Sequence, residues 1–244
     1  MRSLSRWSIA FLLLLPTFAL GAASSVPLES MRADHSNLPS LQRGAALFMN
    51  YCLGCHSLEH QRHIRTANDL GIPDDLYMEN LLFADVDMGH HITNAMPQAG
   101  SREWFGVAPP DLTMVTRVRG SDWVYTFLKS FYLDASRPFG VNNTVFENVG
   151  MPHALIELQG VPRLTCREVN GDQVCDQFEV EDGTGQMSAE QYSAAMYDLV
   201  NFLDYTGEPY KQDRQRIGVY VLLFLAILFV LTFLLGREYH KDSH

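Results

Sequence analysis

Cys52-Leu53-Gly54-Cys55-His56 brings two thiols and an imidazole within five residues. Two cysteines three positions apart on one helical turn can each form a thioether to a haem vinyl group. The histidine that follows is then placed to put a ring nitrogen on the iron from the same side. Three other chemistries compete for these residues. A redox dithiol needs C-x-x-C but not the histidine. A zinc site drawing in His60 and His63 would need a longer interval than the one from Cys55 to His60. A disulfide across two intervening residues would be strained. An export signal on the same chain favours covalent haem, because c-type haem is attached outside the bacterial cytoplasm.

A haem used for electron transfer has both axial positions filled, and a methionine sulfur opposite histidine raises its potential. Downstream of His56 the candidates are Met78, Met88, Met96, Met114, Met151, Met187 and Met196, with His90, His91 and His153 as imidazole alternatives. Met96-Pro97 and Met151-Pro152 stand out, because a following proline holds the methionine in extended geometry on a loop. Gly150 gives the second of these room for a close backbone approach. Spacing alone leaves Met96 and Met151 both open. Met187 borders and Met196 falls on a predicted helix over 188–205, both reading as core, and His90-His91 reads as a solvated pair.

The elements that must position these groups follow from the flanking sequence. Residues 42–51 predict a helix delivering the cysteine turn, with Leu47, Phe48 and Tyr51 facing the core. A second helix is predicted to begin near Asp111, after the Pro109-Pro110 turn. Cys166 and Cys175 flank an Asn170-Gly171 turn signal and predict a disulfide-pinned hairpin in an oxidising compartment. This hairpin is rich in Asp and Glu, which also makes it a candidate docking edge.

Both ends of the chain are apolar. Arg2 and Arg6, an apolar run over 7–20 and the small residues Gly21-Ala22-Ala23 have the three parts of a secretory signal, assigned to 1–23. Residues 217–235 are nineteen in number without a charge, and as a helix they span roughly 28 Å, the thickness of a bilayer core. The basic flanks give a weak and slightly contrary orientation bias, so the export signal decides it. Residues 24–210 form an exported haem domain, 217–235 the transmembrane anchor and 236–244 a cytoplasmic tail. The 244-residue chain carries 18 Lys and Arg against 28 Asp and Glu; residues 24–210 hold 11 and 25 of these, a net of −14. That sign excludes nucleic-acid binding, which needs a basic face. It serves either to steer a basic soluble partner or simply to keep the domain soluble.

Five segments together resemble cytochrome c1: CHSL at 55–58, APPDLT at 108–113, RVRGSDW at 117–123, GVNNTVFENVGMPHAL at 140–155 and NFLDYTGEPYKQDRQRIG at 201–218. The resemblance runs in order from about residue 30 to the C-terminus. It implies a mainly α fold: a cytochrome-c-like haem domain with loop insertions and one C-terminal transmembrane helix. It implies one haem c bound through Cys52 and Cys55, with His56 and Met151 on the iron, Arg119 near a propionate and Pro110 against the macrocycle. It further implies electron transfer from a Rieske iron–sulfur protein to a soluble periplasmic c-type cytochrome, within a dimeric bc1 complex that includes cytochrome b in the bacterial inner membrane. The chain itself would carry no acid–base catalyst; the quinol chemistry belongs to the assembly. Three features depart from the pattern: Trp104-Phe105, His60 with His63, and the Cys166–Cys175 hairpin. The alternatives are a membrane-anchored mono-haem cytochrome feeding a terminal oxidase or reductase, a haem enzyme such as a peroxidase with an open iron, and a metal-binding module without haem.

Overall fold

Asn37 starts the first helix earlier than position 42. Its Oδ1 accepts the Ser40 N–H at 3.2 Å, and Pro39 in the first turn needs no partner for its nitrogen. In the computed structural model, which describes residues 27–169 and 172–241, helix α1 runs Leu38–Leu47 and then widens into a π-helical stretch, Phe48–Cys52. The Leu53 N–H reaches back to the Phe48 carbonyl at 3.0 Å. Phe48 is fully buried, while Leu47 and Tyr51 pack part-buried against the same core.

A ribbon strand β1 (Leu58–Arg62) leads into α2 (His63–Leu70) and α3 (Asp74–Asn80), and β1 pairs with the short β2 (His91–Ile92). Next come α4 (Gln98–Phe105), α5 (Val115–Arg119) and α6 (Ser121–Lys129). The helix expected at Asp111 begins at Val115. Asp111 is engaged beforehand, its carboxylate accepting the Glu59 and Thr113 amides at 2.6 and 2.9 Å. Strands β3 (Phe131–Leu133) and β4 (Val141–Asn143) pair antiparallel, and α7 (Ile156–Gln159) is a single turn. β5 (Pro162–Val169) and β6 (Asp172–Val180) form a long hairpin in which Cys166 faces Cys175 and the two sulfurs are bonded.

Helix α8 (Ala189–Gly207) opens with a capping box: the Gln191 amide bonds Ser188 Oγ at 3.3 Å, and Gln191 Oε1 accepts the Ser188 amide at 2.8 Å. It crosses α1 closely at Gly44 and contributes Met196, Leu199, Val200 and Phe202 to the core, against Leu41, Ala45 and Phe48. Asn201 ties the chain entering α1 to this helix, accepting the Asp34 amide at 2.8 Å and donating to the Asp34 carbonyl at 2.9 Å. A smaller cluster of Phe131, Val141 and Val149 lies apart, with Phe127 and Met151 against it.

The last helix, α9 (Lys211–Lys241), has 31 residues and buries none of them in the protein. Its apolar length is sufficient to cross a membrane. It extends beyond 217–235 because both polar flanks continue the helical hydrogen bonding. The fold is predominantly helical, with the strands confined to two-stranded ribbons. The proposed signal at 1–23 lies outside the described residues, as do 242–244 of the tail.

Candidate functional site

The π-helical stretch ends at Cys52, whose carbonyl accepts two N–H groups, from Cys55 at 3.0 Å and from His56 at 2.8 Å. This tight turn puts Cys52, Cys55 and His56 on one wall of a cleft. Gly150, Met151 and Pro152 line it as well, with Phe105, Val107, Pro109, Leu128 and Leu155 completing the apolar lining. Gly150 is pressed close here: a Cβ on it would sit 3.0 Å from the Phe105 carbonyl oxygen.

The electrostatics of the cleft favour neutral groups. Burial, with a smaller contribution from Cys55, pushes the Cys52 thiol up to about 12, and burial raises Cys55 as well. A reactive dithiol needs the opposite shift. Conversion to thioethers removes the acidity and suits a low-dielectric wall. Burial lowers the His56 imidazole below its ordinary value, against smaller opposing effects of the Pro110 carbonyl and Asp111. His56 Nδ1 lies 2.8 Å from that carbonyl, so Nδ1–H donates there and Nε2 keeps its lone pair for a metal. The donor set, two thiols, one imidazole and one thioether in an apolar cleft, fits a covalently held haem.

Further bonds dock the surrounding loops onto the cysteine turn. The Leu112 N–H bonds the Ser57 carbonyl at 2.9 Å. Asn94 donates from Nδ2 to the Cys55 carbonyl at 2.7 Å, and its own amide bonds Ser57 Oγ at 3.0 Å.

The other sequence candidates are placed as follows. Met96 lies in a separate groove beside Cys55, Ser57, Asn94 and Ser101, outside the cleft that holds Met151. Met196 is fully buried in the core, and Met187 packs at its margin. His90 and His91 are exposed. His153 is buried, stacked on Phe131 at 4.8 Å, and burial pushes it down to about 4. His63 is buried with Nδ1 3.1 Å from the Tyr77 hydroxyl. Among the described residues no group of three or more His, Cys, Asp or Glu is set to hold a metal ion, which leaves the zinc reading without a site. Pro110 reaches the site through its carbonyl, while the ring in the cleft wall is that of Pro109. Arg119 is not in the wall: its guanidinium lies 5.1 Å from the Trp123 ring centre and 6.0 Å from that of Phe146. Sequence reasoning missed Phe105, Val107, Leu128 and Leu155 as wall residues, and Asn94 as the brace on Cys55. Nothing in their local sequence marks them, since only the fold brings them to the cleft.

Comparison with known proteins is consistent along the whole chain. The model of the cytochrome C1 family matches residues 86–243. Cytochrome c1 of Allochromatium vinosum is 50% identical over 237 residues, covering 96% of this chain and 97% of that one. The ammonia monooxygenase gamma subunit of Nitrosomonas europaea is 39% identical over 233 residues, 96% of each chain. Cytochrome b/c1 of Bradyrhizobium diazoefficiens is 25% identical over 236 residues, 84% of this chain and 33% of that longer protein. The cysteine turn with its apolar cleft, the single C-terminal apolar helix and end-to-end similarity at half identity lead to one conclusion: this chain belongs to the cytochrome c1 family.

Proposed function

We propose that this protein is the electron-transfer subunit of a respiratory bc1 complex, passing electrons from a Rieske iron–sulfur protein to a soluble periplasmic c-type cytochrome. Its family makes it a haem-bearing subunit that works with cytochrome b, a pairing also carried in the name of the Bradyrhizobium relative. The haem, when bound, supplies reversible one-electron chemistry at its iron. Cys52 and Cys55 would hold it by thioethers, and His56 and Met151 would supply the iron's protein ligands. Pro110 fixes the imidazole tautomer by accepting the Nδ1 proton. Phe105, Val107, Leu128 and Leu155 exclude water, and a dry surround disfavours ferric charge and raises the potential. The neutral Met151 sulfur acts in the same direction.

In this reading 1–23 direct export, 24–210 face the periplasm, 217–235 anchor the chain in the inner membrane and 236–244 remain inside. The net charge of −14 over 24–210 steers a basic acceptor at low salt. The complex is dimeric. One observation carries the reading: Cys52, Cys55, His56 and Met151 line a single apolar cleft.

The test is purification of the full chain from membranes through its C-terminal tail. Haem staining after denaturing electrophoresis and identification of the co-purifying subunits are the readouts. Covalent haem together with cytochrome b and an iron–sulfur subunit is the expected result. Absence of covalent haem refutes the centre. Covalent haem without those subunits, or with a terminal oxidase or monooxygenase instead, refutes the assignment to a bc1 complex.

A further inference from the structure

Asn148 is the non-glycine residue with positive φ among the described residues, at 59°. Asparagine tolerates this left-handed region better than most residues, but it still needs support from its surroundings. Three of its polar groups are held by two side chains. Arg137 donates from Nη1 to Asn148 Oδ1 at 2.9 Å and from Nη2 to the Asn148 carbonyl at 3.0 Å. The Asn148 N–H bonds Asn142 Oδ1 at 2.9 Å.

Both gripping residues are themselves fixed. Asn142 is buried on β4 and donates to Asp134 Oδ2 at 3.0 Å. Arg137 sits in the turn between β3 and β4, its amide on the Asp134 carbonyl at 3.1 Å and its carbonyl accepting the Gly140 amide at 3.0 Å. From Asn148 the chain has little slack. Val149 is buried in the small cluster with Phe131 and Val141, Gly150 presses on the Phe105 carbonyl, and Met151 enters the cleft.

We propose that Arg137 and Asn142 are positioning residues for Met151: by clamping Asn148 in its left-handed conformation they hold the methionine sulfur against the iron. The proposal rests on the assignment of Met151 as axial ligand. The guanidinium suits the task because its planar fork reaches two oxygens of one residue at once, which an ammonium group cannot do. Loss of the fork lets 148–151 relax, so the closed loop gives way to a population in which the sulfur is off the iron.

The test uses the full-length, membrane-extracted protein carrying Arg137→Gln, Arg137→Lys, Asn148→Gly or Asn148→Ala, beside Met151→Leu. Readouts are the reduction potential, the ferric sulfur-to-iron charge-transfer band, carbon monoxide uptake by the ferrous form, and the helical unfolding midpoint. Arg137→Gln is expected to lower the potential, weaken the band and raise the carbon monoxide-binding fraction by about tenfold, a shift in a two-state loop population. Covalent haem is retained, and the helical unfolding midpoint stays near that of the parent. Arg137→Lys moves the same readouts in the same direction. Asn148→Gly retains more of the band than Asn148→Ala, because glycine accepts the positive φ freely. If Arg137→Gln accumulates no haem protein, the Asn148 pair decides, and equal behaviour of its two members overturns the proposal. An unchanged band and unchanged carbon monoxide uptake in Arg137→Gln also overturn it, provided Met151→Leu loses the band. If Met151→Leu keeps the band, the axial-ligand assignment fails, and the clamp fails with it.

Discussion

Replacing Gly44 with alanine tests the contact on which the haem domain depends. A Cβ at this position would lie 2.1 Å from the Asp198 carbonyl oxygen and 2.7 Å from Phe202 Cβ. Real Cβ contacts below 3.0 Å are essentially never seen and ordinary ones begin near 3.4 Å, so α1 and α8 must part by about an ångström. The obstacle is mainly helix backbone, which cannot rotate away as a long side chain would. Overpacking costs about 1–3 kcal/mol and occasionally more, and a clash with backbone belongs at the upper end. Alanine returns about 1 kcal/mol through its helix propensity. The net loss is therefore about 2 kcal/mol. For a chain of this size that lowers the melting midpoint by about 4–8 °C. Thermal unfolding followed by circular dichroism on the detergent-extracted protein reads this directly. Gly89→Ala is the matched control, since nothing lies within 4 Å of the new methyl, and it should leave the midpoint in place. Because α1 continues into the stretch that carries Cys52, Gly44→Ala should also increase carbon monoxide uptake by the ferrous form. A midpoint within about 1 °C of the parent would refute the packing argument, since the two helices would then have slack that the distances deny.

Met151→Leu should lower the reduction potential and open the ferrous iron to carbon monoxide while covalent haem persists, whereas Met96→Leu should change neither; the reverse pattern would move the ligand to Met96. Burial pushes the Asp204 carboxyl up, but bonds from His35, Lys211 and Ser121 outweigh it and leave it below the usual carboxylate range. A carboxylate depressed in this way adds stability that is present above its unfolded value, about 4, and is lost as the pH falls through the lower folded value. The gap in melting midpoint between the parent and Asp204→Asn should therefore be widest near neutrality and close below about pH 4; a gap independent of pH would contradict this. Cys166→Ser with Cys175→Ser opens a loop whose closure is worth about 2–3 kcal/mol. That loss should fall on the hairpin, with faster proteolysis between 162 and 180 and an unchanged reduction potential; a shifted potential would tie the hairpin to the haem.

Local features of this protein could be read from the sequence because their causes are local. The C-x-x-C-H turn, the Ser188 to Gln191 capping box and the uncharged run at 217–235 each act within a few residues. Helix α1 begins at Leu38 for an equally local reason, the Asn37 cap and Pro39. The choice of methionine was different. Met96-Pro97 and Met151-Pro152 look alike in sequence, and what separates them is tertiary: one follows the Asn94 brace into a polar groove and the other follows Gly150 past the Phe105 carbonyl. The roles of Pro109 and Pro110 divide on backbone geometry, since a carbonyl that accepts from His56 leaves no mark in residue type. Arg119, which the resemblance puts near a haem propionate, has its guanidinium over Trp123, which itself stacks on Phe127 at 5.1 Å.

The joint between α8 and the apolar helix α9 is braced by side chains rather than left as a bare connection. Pro209 ends one helix and α9 begins at Lys211, a break that a flexible tether would leave unbraced. Here Asp204 accepts from Lys211 at 2.7 Å, Ser121 at 2.6 Å and His35 at 2.8 Å. Glu208 takes Arg117 at 2.8 Å and Arg214 at 2.5 Å, and the Arg65 guanidinium lies 4.2 Å from the Tyr210 ring centre. Each exposed pair is worth about 0–1 kcal/mol at most, so no single one holds the joint. Their distribution does, because they converge on the end of α8 and on Tyr210 from α2, α5, α6, the segment before α1 and the first turn of α9. Helix α8, whose end they brace, is the one that meets α1 at Gly44, and α1 runs on into the stretch that carries Cys52. Contacts therefore link the first turn of α9, through α8 and α1, to the cysteine turn.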